Sequence, residues 1–467
     1  MRKLSIFLLY VCLALVLCTG CKQGSSTTNS NNSLPVLGDI HFSPFFDPDL
    51  FPSLTFSPPE AWSELFENST TKKPNSWGQA TNYFLFQKLL NYLENKTKNC
   101  HLLILQGDLL SHGFKERFFK LNGDEDEAAL RSFVQKTIKF IALKLRSAVA
   151  KDIPIVFVLG NNDSYAGDYK IIPNGEFLGD TTMLFYNTFL LEKPSFSAFS
   201  ATYQTGGYYK FEPSFASDLA LVCLNTVMFS KHWTAPKDEK GQNAPEKQLD
   251  WLQETLISAQ RADNKVWLLT HIPTGVSAYG TIENYMDKEG KVSDANMMWK
   301  SKYQTRFLEI INKYAENIVA LFAGHTHMDE YRIIKSAENK EKEIVFITPA
   351  ISPLFGNNPA FKIFSFSAKN FKLQDYQALT YHFTNSSQTF EPFYRFSNYF
   401  DLHSNLNQAL VTLYKEMPLN DKLKTRYINN YYSGHNEGNN ITPTNWPIYR
   451  CTIGYPDKEG FISCVNN

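Results

Sequence analysis

Residues 318–327 read IVALFAGHTH, an apolar run that ends in a glycine and two histidines, His325 and His327. A short, continuous apolar run of this kind predicts a strand that is buried on both faces. Four other apolar runs end in similar polar clusters, which are Gly38-Asp39-Ile40-His41, Gly107-Asp108, Gly160-Asn161-Asn162-Asp163 and Thr270-His271. Because sites in α/β folds form beyond the carboxyl ends of strands, we expect these five distant clusters to meet.

Predicted strands and helices alternate along the chain, which indicates an α/β fold with helices covering the sheets. Apolar residues recur every three or four positions from Leu130 to Leu145 and predict an amphipathic helix there. Further strands are predicted at 35–40, 101–105, 153–159, 219–224, 266–270, 343–347 and 361–366. Further helices are predicted at 77–94, 248–260, 307–314 and 403–432.

The composition limits the classes to which the chain can belong. Its 467 residues include 46 Lys or Arg and 46 Asp or Glu, so the formal net charge is zero. A nucleic-acid polymer is therefore not an expected partner, since binding one needs a basic surface. With 43% hydrophobic and 20% charged residues, the chain has apolar area for a large core and is too apolar for a disordered protein.

The N-terminal sequence is typical of a targeting signal followed by a flexible tether. A basic start precedes an apolar run shorter than the ~20 residues that span a bilayer. Small residues before Cys21 resemble a bacterial lipobox, although Cys18 stands where leucine is usual. We predict a signal peptide with a lipobox at 1–21, acylation of Cys21 and a flexible tether at 22–34. The protein is then exported and lipid-anchored to the bacterial cell envelope, periplasmic or surface-facing; an ordinary cleaved signal would make it secreted.

Four cysteines remain after the predicted leader, an even number in an exported protein. Cys451 and Cys464 bracket a short aromatic tail, so a disulfide between them is expected. Cys100 and Cys223 lie on or beside predicted strands, and two interpretations stay open for them, buried free thiols or a second pair.

The strand-end clusters together supply two aspartates, one asparagine and four histidines, and no thiolate. Oxygen and imidazole donors favour zinc, with manganese or iron as alternatives, over calcium or an iron–sulfur cluster. Seven ligands are too many for one tetrahedral ion, whereas two divalent ions ~3.5–4 Å apart that share a carboxylate use the whole set. Any one cluster alone is more typical of a turn; the ordered set favours the metal site.

These clusters resemble the motifs D-x-H, G-D, G-N-H-[DE], H and G-H-x-H of the calcineurin-like metallophosphoesterase family. The resemblance is strongest to its acid sphingomyelinase-like phosphodiesterase branch, through His112, 271–273, 324–330, 352–353 and 357–361. We place a catalytic domain at 35–385 and a helical, aromatic-rich C-terminal extension at 386–467, because the strand pattern gives way to helices and an aromatic tail near 370–400. The resemblance implies a β-sandwich flanked by helices. It also implies that one metal is held by Asp39, His41, Asp108 and His327, and the other by Asp108, Asn161, His271 and His325.

The chain departs from the family pattern at Asn162, where the motif has a histidine. Asparagine can donate a hydrogen bond but cannot transfer a proton near neutral pH. Fungal vacuolar endopolyphosphatases also carry G-N-N-D, so the change need not inactivate the site. We therefore assign the general acid to His112, which would protonate the leaving oxygen while a metal-bound hydroxide attacks phosphorus. Asn162 either donates a hydrogen bond in the site or fills the vacated space.

Three functions follow as alternatives. The first is a phosphodiesterase that acts on a sphingomyelin-like phospholipid or a related phosphodiester. The second is a phosphohydrolase of nucleotides or polyphosphate, which the G-N-N-D motif favours. The third is a surface-binding protein that lost activity through Asn162. The complete ligand set argues against the third, because a decayed site loses ligands early.

Overall fold

In the computed structural model, residues 32–234, 241, 243–335, 341–438 and 440–467 are described. They form two six-stranded mixed sheets flanked by helices. The predicted leader, Cys21 included, lies outside the described residues. None of the described helices has the length and hydropathy that a membrane crossing requires.

The first sheet carries three of the predicted site clusters at its parallel strand ends. Its strands are β1 (Ser33–Leu37), β2 (Leu103–Leu105), β3 (Ile155–Phe157), β10 (Ala360–Phe366), β11 (Leu373–Tyr381) and β12 (Phe390–Arg395). Their order is β12-β11-β10-β1-β2-β3, in which β1, β2 and β3 run parallel and the other neighbours antiparallel.

The second sheet carries the two histidine clusters. Its strands are β4 (Tyr209–Phe211), β5 (Leu219–Cys223), β6 (Lys265–Leu269), β7 (Ile318–Ala323), β8 (Glu330–Lys335) and β9 (Glu341–Ile347). Their order is β4-β5-β6-β7-β9-β8, and β5, β6, β7 and β9 are parallel. Parallel strands buried on both faces are continuous apolar runs, as 318–323 is here.

Aromatic side chains join the two sheets into a sandwich. Trp267 of β6 packs edge-on against Phe366 of β10 at 5.1 Å between ring centroids. Phe322 of β7 and Phe346 of β9 both contact Phe364 of β10, at 5.5 and 5.4 Å. The β-sandwich flanked by helices is therefore confirmed.

The helices cover this sandwich and extend it at the C-terminus. They are α1 (Phe51–Phe56), α2 (Trp62–Glu67), α3 (Tyr83–Lys96), α4 (Phe114–Asn122), α5 (Glu127–Ala148), α6 (Glu176–Thr188), α7 (Phe196–Gly206), α8 (Ala244–Arg261), α9 (Ala278–Tyr285), α10 (Ser301–Lys313), α11 (Phe396–Phe400), α12 (Leu406–Glu416), α13 (Asp421–Tyr431), α14 (Trp446–Gly454) and α15 (Lys458–Asn466). The long helix α5 begins where Asp126 accepts hydrogen bonds from two backbone N–H groups, and it buries the predicted apolar stripe.

Some elements differ from the sequence-based expectations. The strand pattern continues past residue 370, because β11 and β12 complete the first sheet, and β12 lies inside the segment expected to be a helical extension. β1 begins at Ser33, inside the predicted tether. The structure links Cys451 to Cys464 by a disulfide, whereas Cys100 and Cys223 are separate buried thiols.

Replacing Phe140 by alanine tests how α5 holds the N-terminal segment. Phe140 is 2% exposed and packs against Phe42 at 5.4 Å and Trp62 at 5.5 Å. We expect Phe140→Ala to lower the free energy of unfolding by ~3–5 kcal/mol in urea titrations. The neighbouring Lys139→Ala removes only an exposed ion pair and should cost less than ~1 kcal/mol. Equal losses in both variants would contradict this packing.

Candidate metal centre

Hydrogen bonds connect strand ends of the two sheets. The N–H groups of Asp39 and His41 donate to the carbonyls of Gly107 and Asp108 at 3.1 and 2.8 Å. Across the sandwich, His271 Nδ1 donates to the Gln106 carbonyl at 2.6 Å. All seven predicted ligands therefore lie in one place, at the carboxyl ends of β1, β2, β3, β6 and β7.

The backbone at this place is unusual. Five predicted ligands have positive φ angles, which are Asp39 (52°), His41 (46°), Asp108 (53°), His325 (73°) and His327 (66°). Residues other than glycine rarely have positive φ angles, because each such residue costs about 1–3 kcal/mol. Residues with this backbone conformation cluster at functional sites. Gly324 permits the close approach, because a Cβ there would lie 2.6 Å from Asp39 Oδ2.

Four of the residues form one candidate ligand group. Ligand atoms of Asp39, His41 and Asp108 lie within 4.8 Å of one another. His41 Nε2 is 3.4 Å from Asp108 Oδ2 and 3.0 Å from His327 Nε2. Asp39 Oδ1 is 3.7 Å from His327 Nε2. This group has the membership that the family resemblance implies for the first metal.

A second group forms on the other side of Asp108. His271 Nε2 lies 3.3 Å from Asp108 Oδ2 and 3.0 Å from Asn161 Oδ1. His325 joins Asp108 and His271, with ligand atoms within 4.8 Å. The same oxygen, Asp108 Oδ2, therefore faces both groups, so one carboxylate could serve an ion in each.

The residues fit a pair of divalent cations. Asp39, His41 and His271 are completely buried, and Asp108 and His327 are 1% exposed. Two buried imidazole nitrogens face each other across 3.0 Å, and His327 Nδ1 has no hydrogen-bond partner among the described residues. Burial, together with nearby histidines, lowers the pKa of His325 to about 3 and that of His327 well below its ordinary value. Both rings are then neutral, the form that binds metal ions.

Asp108 and His271 form the charged pair at the middle of the centre. Burial raises the pKa of Asp108, but the His271 and His41 imidazoles outweigh it and hold that pKa well below its usual range. Burial opposes the charged form of His271 as well, yet Asp108 raises the pKa of His271 to about 9. A cation bound here would replace the His271 proton as the partner of Asp108, so protons and metal compete.

Asn162 and Asp163 hold the shared carboxylate in place. The backbone N–H and the Nδ2 group of Asn162 donate to the two oxygens of Asp108, at 2.8 and 3.0 Å. Asp163 accepts hydrogen bonds from the N–H groups of Asp108, Leu109 and Gly160 at 2.8–2.9 Å. Asn162 thus has a definite place in the site, as a donor to Asp108.

His112 lies at the open edge of the centre. Its side chain is 32% exposed, and its ring stacks on His41 with 4.5 Å between centroids. Burial lowers the pKa of His112, but Asp168, 3.6 Å from Nδ1, and Asp108 raise it above the ordinary value. His112 also lies close enough to His41 and His327 to offer a nitrogen to a metal.

Two further residues were not found by sequence reasoning. Asp168 contacts both Asn161 and His112, and the Tyr169 hydroxyl lies 3.4 Å from His325 Nε2. Both belong to the loop that follows the third cluster. Gly167-Asp168 is typical of a turn, and no signal in the sequence distinguishes it from one.

The sandwich and the shared carboxylate together define a candidate dinuclear centre on an α/β scaffold. The profile of the Calcineurin-like phosphoesterase family matches residues 35–329, a range that includes all seven candidate ligands. The chain therefore belongs to the calcineurin-like phosphoesterase family.

Relatives within this family carry phosphodiesterase names. Sphingomyelinase phosphodiesterase D of Dictyostelium discoideum is 29% identical over 65% of this chain and 60% of its own length. Cyclic GMP-AMP phosphodiesterase SMPDL3A of Homo sapiens is 22% identical over 57% of each chain. The chain thus spans about 60% of the length of these relatives. Among solved structures, a dimetal phosphatase from Danio rerio aligns with 74% of this chain and 94% of its own, with 11% identity and a TM-score of 0.41.

Divalent ions should raise the Tm of the protein. An ion at 100 times its Kd adds about 2.7 kcal/mol per site, and Zn²⁺ and Mn²⁺ are the ions to test by differential scanning calorimetry. Because the pKa of His271 is about 9, the rise in Tm should shrink as the pH is lowered from about 8 to about 6. The Asp108→Asn variant should show little rise at any pH. If neither ion changes the Tm of the wild-type protein at pH 8, the prediction of a metal site is wrong.

Proposed function

We propose that this protein is a metal-dependent phosphoric ester hydrolase that cleaves phosphodiester bonds. The observation that carries the proposal is the position of Asp108 Oδ2, 3.4 Å from His41 Nε2 and 3.3 Å from His271 Nε2. A carboxylate between two buried ligand groups suits two cations that act on one phosphoryl group. All seven candidate ligands are retained, which argues against the third alternative, an inactive surface-binding protein.

Two divalent ions at this centre would neutralise the phosphoryl oxygens and activate a water as the nucleophile. The chain's own residues supply the remaining steps. Asp108 is held rigidly by Asn162 and Asp163, so the ligand groups keep their separation. His112 would protonate the leaving oxygen, and its partial exposure beside the ligand groups and its raised pKa support this role. Asn162 donates a hydrogen bond and transfers no proton.

An aromatic cleft of 290 Å³ opens beside the centre and shares His112 and His325 with it. Its walls include Tyr169, Tyr279, Tyr431, Tyr432 and Tyr449. A cavity of this size is at the lower end of those that hold small ligands. Tyrosine faces bind quaternary ammonium groups and stack on flat rings. We propose that the cleft holds the group attached to the scissile phosphate.

Two substrate classes suit this cleft. The first is a sphingomyelin-like phosphodiester, whose choline headgroup would lie against the tyrosines; relatives named as sphingomyelinase phosphodiesterases support it. The second is a nucleotide, whose base would stack there, and the relative named as a cyclic GMP-AMP phosphodiesterase supports that class. The aromatic walls favour either over an unsubstituted polyphosphate chain, which offers no group to stack.

Export is part of the proposal. The basic start, the apolar run and Cys21 support a lipoprotein signal, and the polar stretch after Cys21 supports a tether to the bacterial envelope. Zinc is the proposed metal, with manganese or iron as alternatives, on the basis of the nitrogen and oxygen donors.

A paired assay tests the function and chooses between the substrates. The purified protein should hydrolyse bis-p-nitrophenyl phosphate, lose this activity to a chelator and regain it with added Zn²⁺ or Mn²⁺. Release of phosphocholine from sphingomyelin micelles, compared with release of phosphate or nucleoside monophosphate from ATP, decides the class. The Asp39→Asn variant is the matched control and should be inactive on every substrate. Chelator-resistant hydrolysis by the wild type would refute the metal mechanism.

His112→Ala tests the general acid. We expect kcat to fall by ~10²–10⁴-fold on a substrate with an alkoxide leaving group, because that oxygen needs a proton. Metal content, measured by inductively coupled plasma spectrometry, should stay at the wild-type value. His403, an exposed histidine 3.1 Å from Asp401, provides the control, and His403→Ala should change neither quantity. Loss of metal in His112→Ala would make His112 a ligand, and unchanged kcat would reject the acid role.

A further inference from the structure

The loop after β3 folds back so that Asp168 lies against the candidate ligand Asn161. Gly167 has a φ of 94°, and its carbonyl accepts a hydrogen bond from Ser164 Oγ at 2.8 Å. The Tyr169 N–H donates to the Asn161 carbonyl at 2.8 Å, which closes the loop. The backbone therefore delivers the Asp168 side chain to one defined position beside Asn161.

The contact between these two side chains orients the Asn161 amide. Asn161 Nδ2 donates to Asp168 Oδ1 at 2.5 Å, and Asn161 Oδ1 then faces His271 Nε2 at 3.0 Å. A carboxamide has one acceptor oxygen and one NH₂ group, and only the oxygen offers lone pairs to a cation. The partner of the NH₂ group thus decides which end of the amide faces the ligand group.

We propose that Asp168 is a positioning residue that holds the Asn161 oxygen toward the second ion; this inference rests on the proposed dinuclear function. An ionised aspartate side chain accepts hydrogen bonds and donates none. It can therefore hold the NH₂ end of Asn161 and can never attract the oxygen end. A residue that orients a metal ligand typically changes metal affinity 10–100-fold when it is lost.

The same carboxylate reaches the other side of the centre. Its Oδ2 lies 3.6 Å from His112 Nδ1, so one side chain restrains a ligand of the second ion and the ring of the candidate acid. The Asp168 side chain is 40% exposed, so solvent screens its electrostatic interactions with neighbouring groups. Its effect on Asn161 is therefore carried by the hydrogen bond and its direction.

Metal titration of the full, metal-stripped protein tests the proposal without any substrate. Mn²⁺ alone, followed by calorimetry, should bind at two sites in the wild type. In Asp168→Ala, the affinity of one site should fall about 10–100-fold while the other stays unchanged. In Asp168→Asn, the affinity of that site should lie between the wild-type and Asp168→Ala values, because the amide oxygen can still accept the hydrogen bond from Asn161 whereas the new NH₂ group can attract the Asn161 oxygen instead.

A matched control separates orientation from loop stability. Asp180 holds the same loop through the Tyr165 hydroxyl at 2.9 Å, and its side chain is 29% exposed. Asp180→Ala should leave both affinities unchanged. Wild-type binding in Asp168→Ala, or an equal loss in Asp180→Ala, would overturn the proposal. A wild type that binds two ions but hydrolyses nothing refutes only the proposed function, and one that binds none refutes both.

Discussion

A single buried carboxylate oxygen, Asp108 Oδ2, lies between the imidazoles of His41 and His271. His41 follows β1 of the first sheet, and His271 follows β6 of the second. Burying a charge costs several kcal/mol unless partners compensate for it. The surrounding structure supplies them in layers. The His41 and His271 imidazoles lie 3.4 and 3.3 Å from that oxygen, and Asn162 donates to both carboxylate oxygens. Asp163 then holds the backbone that carries Asp108. The unusual backbone angles at the ligands are the conformations that direct these side chains inward.

The C-terminal part of the chain contributes residues to the aromatic cleft beside the candidate ligands. The family profile ends at residue 329, yet the aromatic cleft takes Tyr431 and Tyr432 from the end of α13 and Tyr449 from α14. The Tyr331 hydroxyl donates to the carbonyl of Leu410 in α12, which ties the extension to β8. The candidate ligands thus lie within the segment that the family profile matches, whereas part of the cleft wall comes from the C-terminal segment.

The predictability of each element follows from how its residues are buried. Strands buried on both faces, such as β7, are continuous apolar runs and were predicted nearly to their ends. β11 and β12 mix buried residues with Gln, Asp, Glu and Pro residues that are exposed or partly exposed, so their apolar signal is too weak to predict them. The predicted helix at 403–432 is two helices, because the chain turns between α12 and α13, where Asn420 caps the second.

The sequence alone determined the α/β class, the seven candidate ligands and the departure at Asn162, because each ligand lies next to a strand whose apolar signal is local. Only the tertiary structure decided that Asn162 donates to Asp108, that His112 stacks on His41 and that Asp168 reaches Asn161. Local patterns record which residues a strand or turn requires. The direction of a side chain across a closed loop depends on contacts between segments far apart in the chain, and no short stretch of sequence contains them.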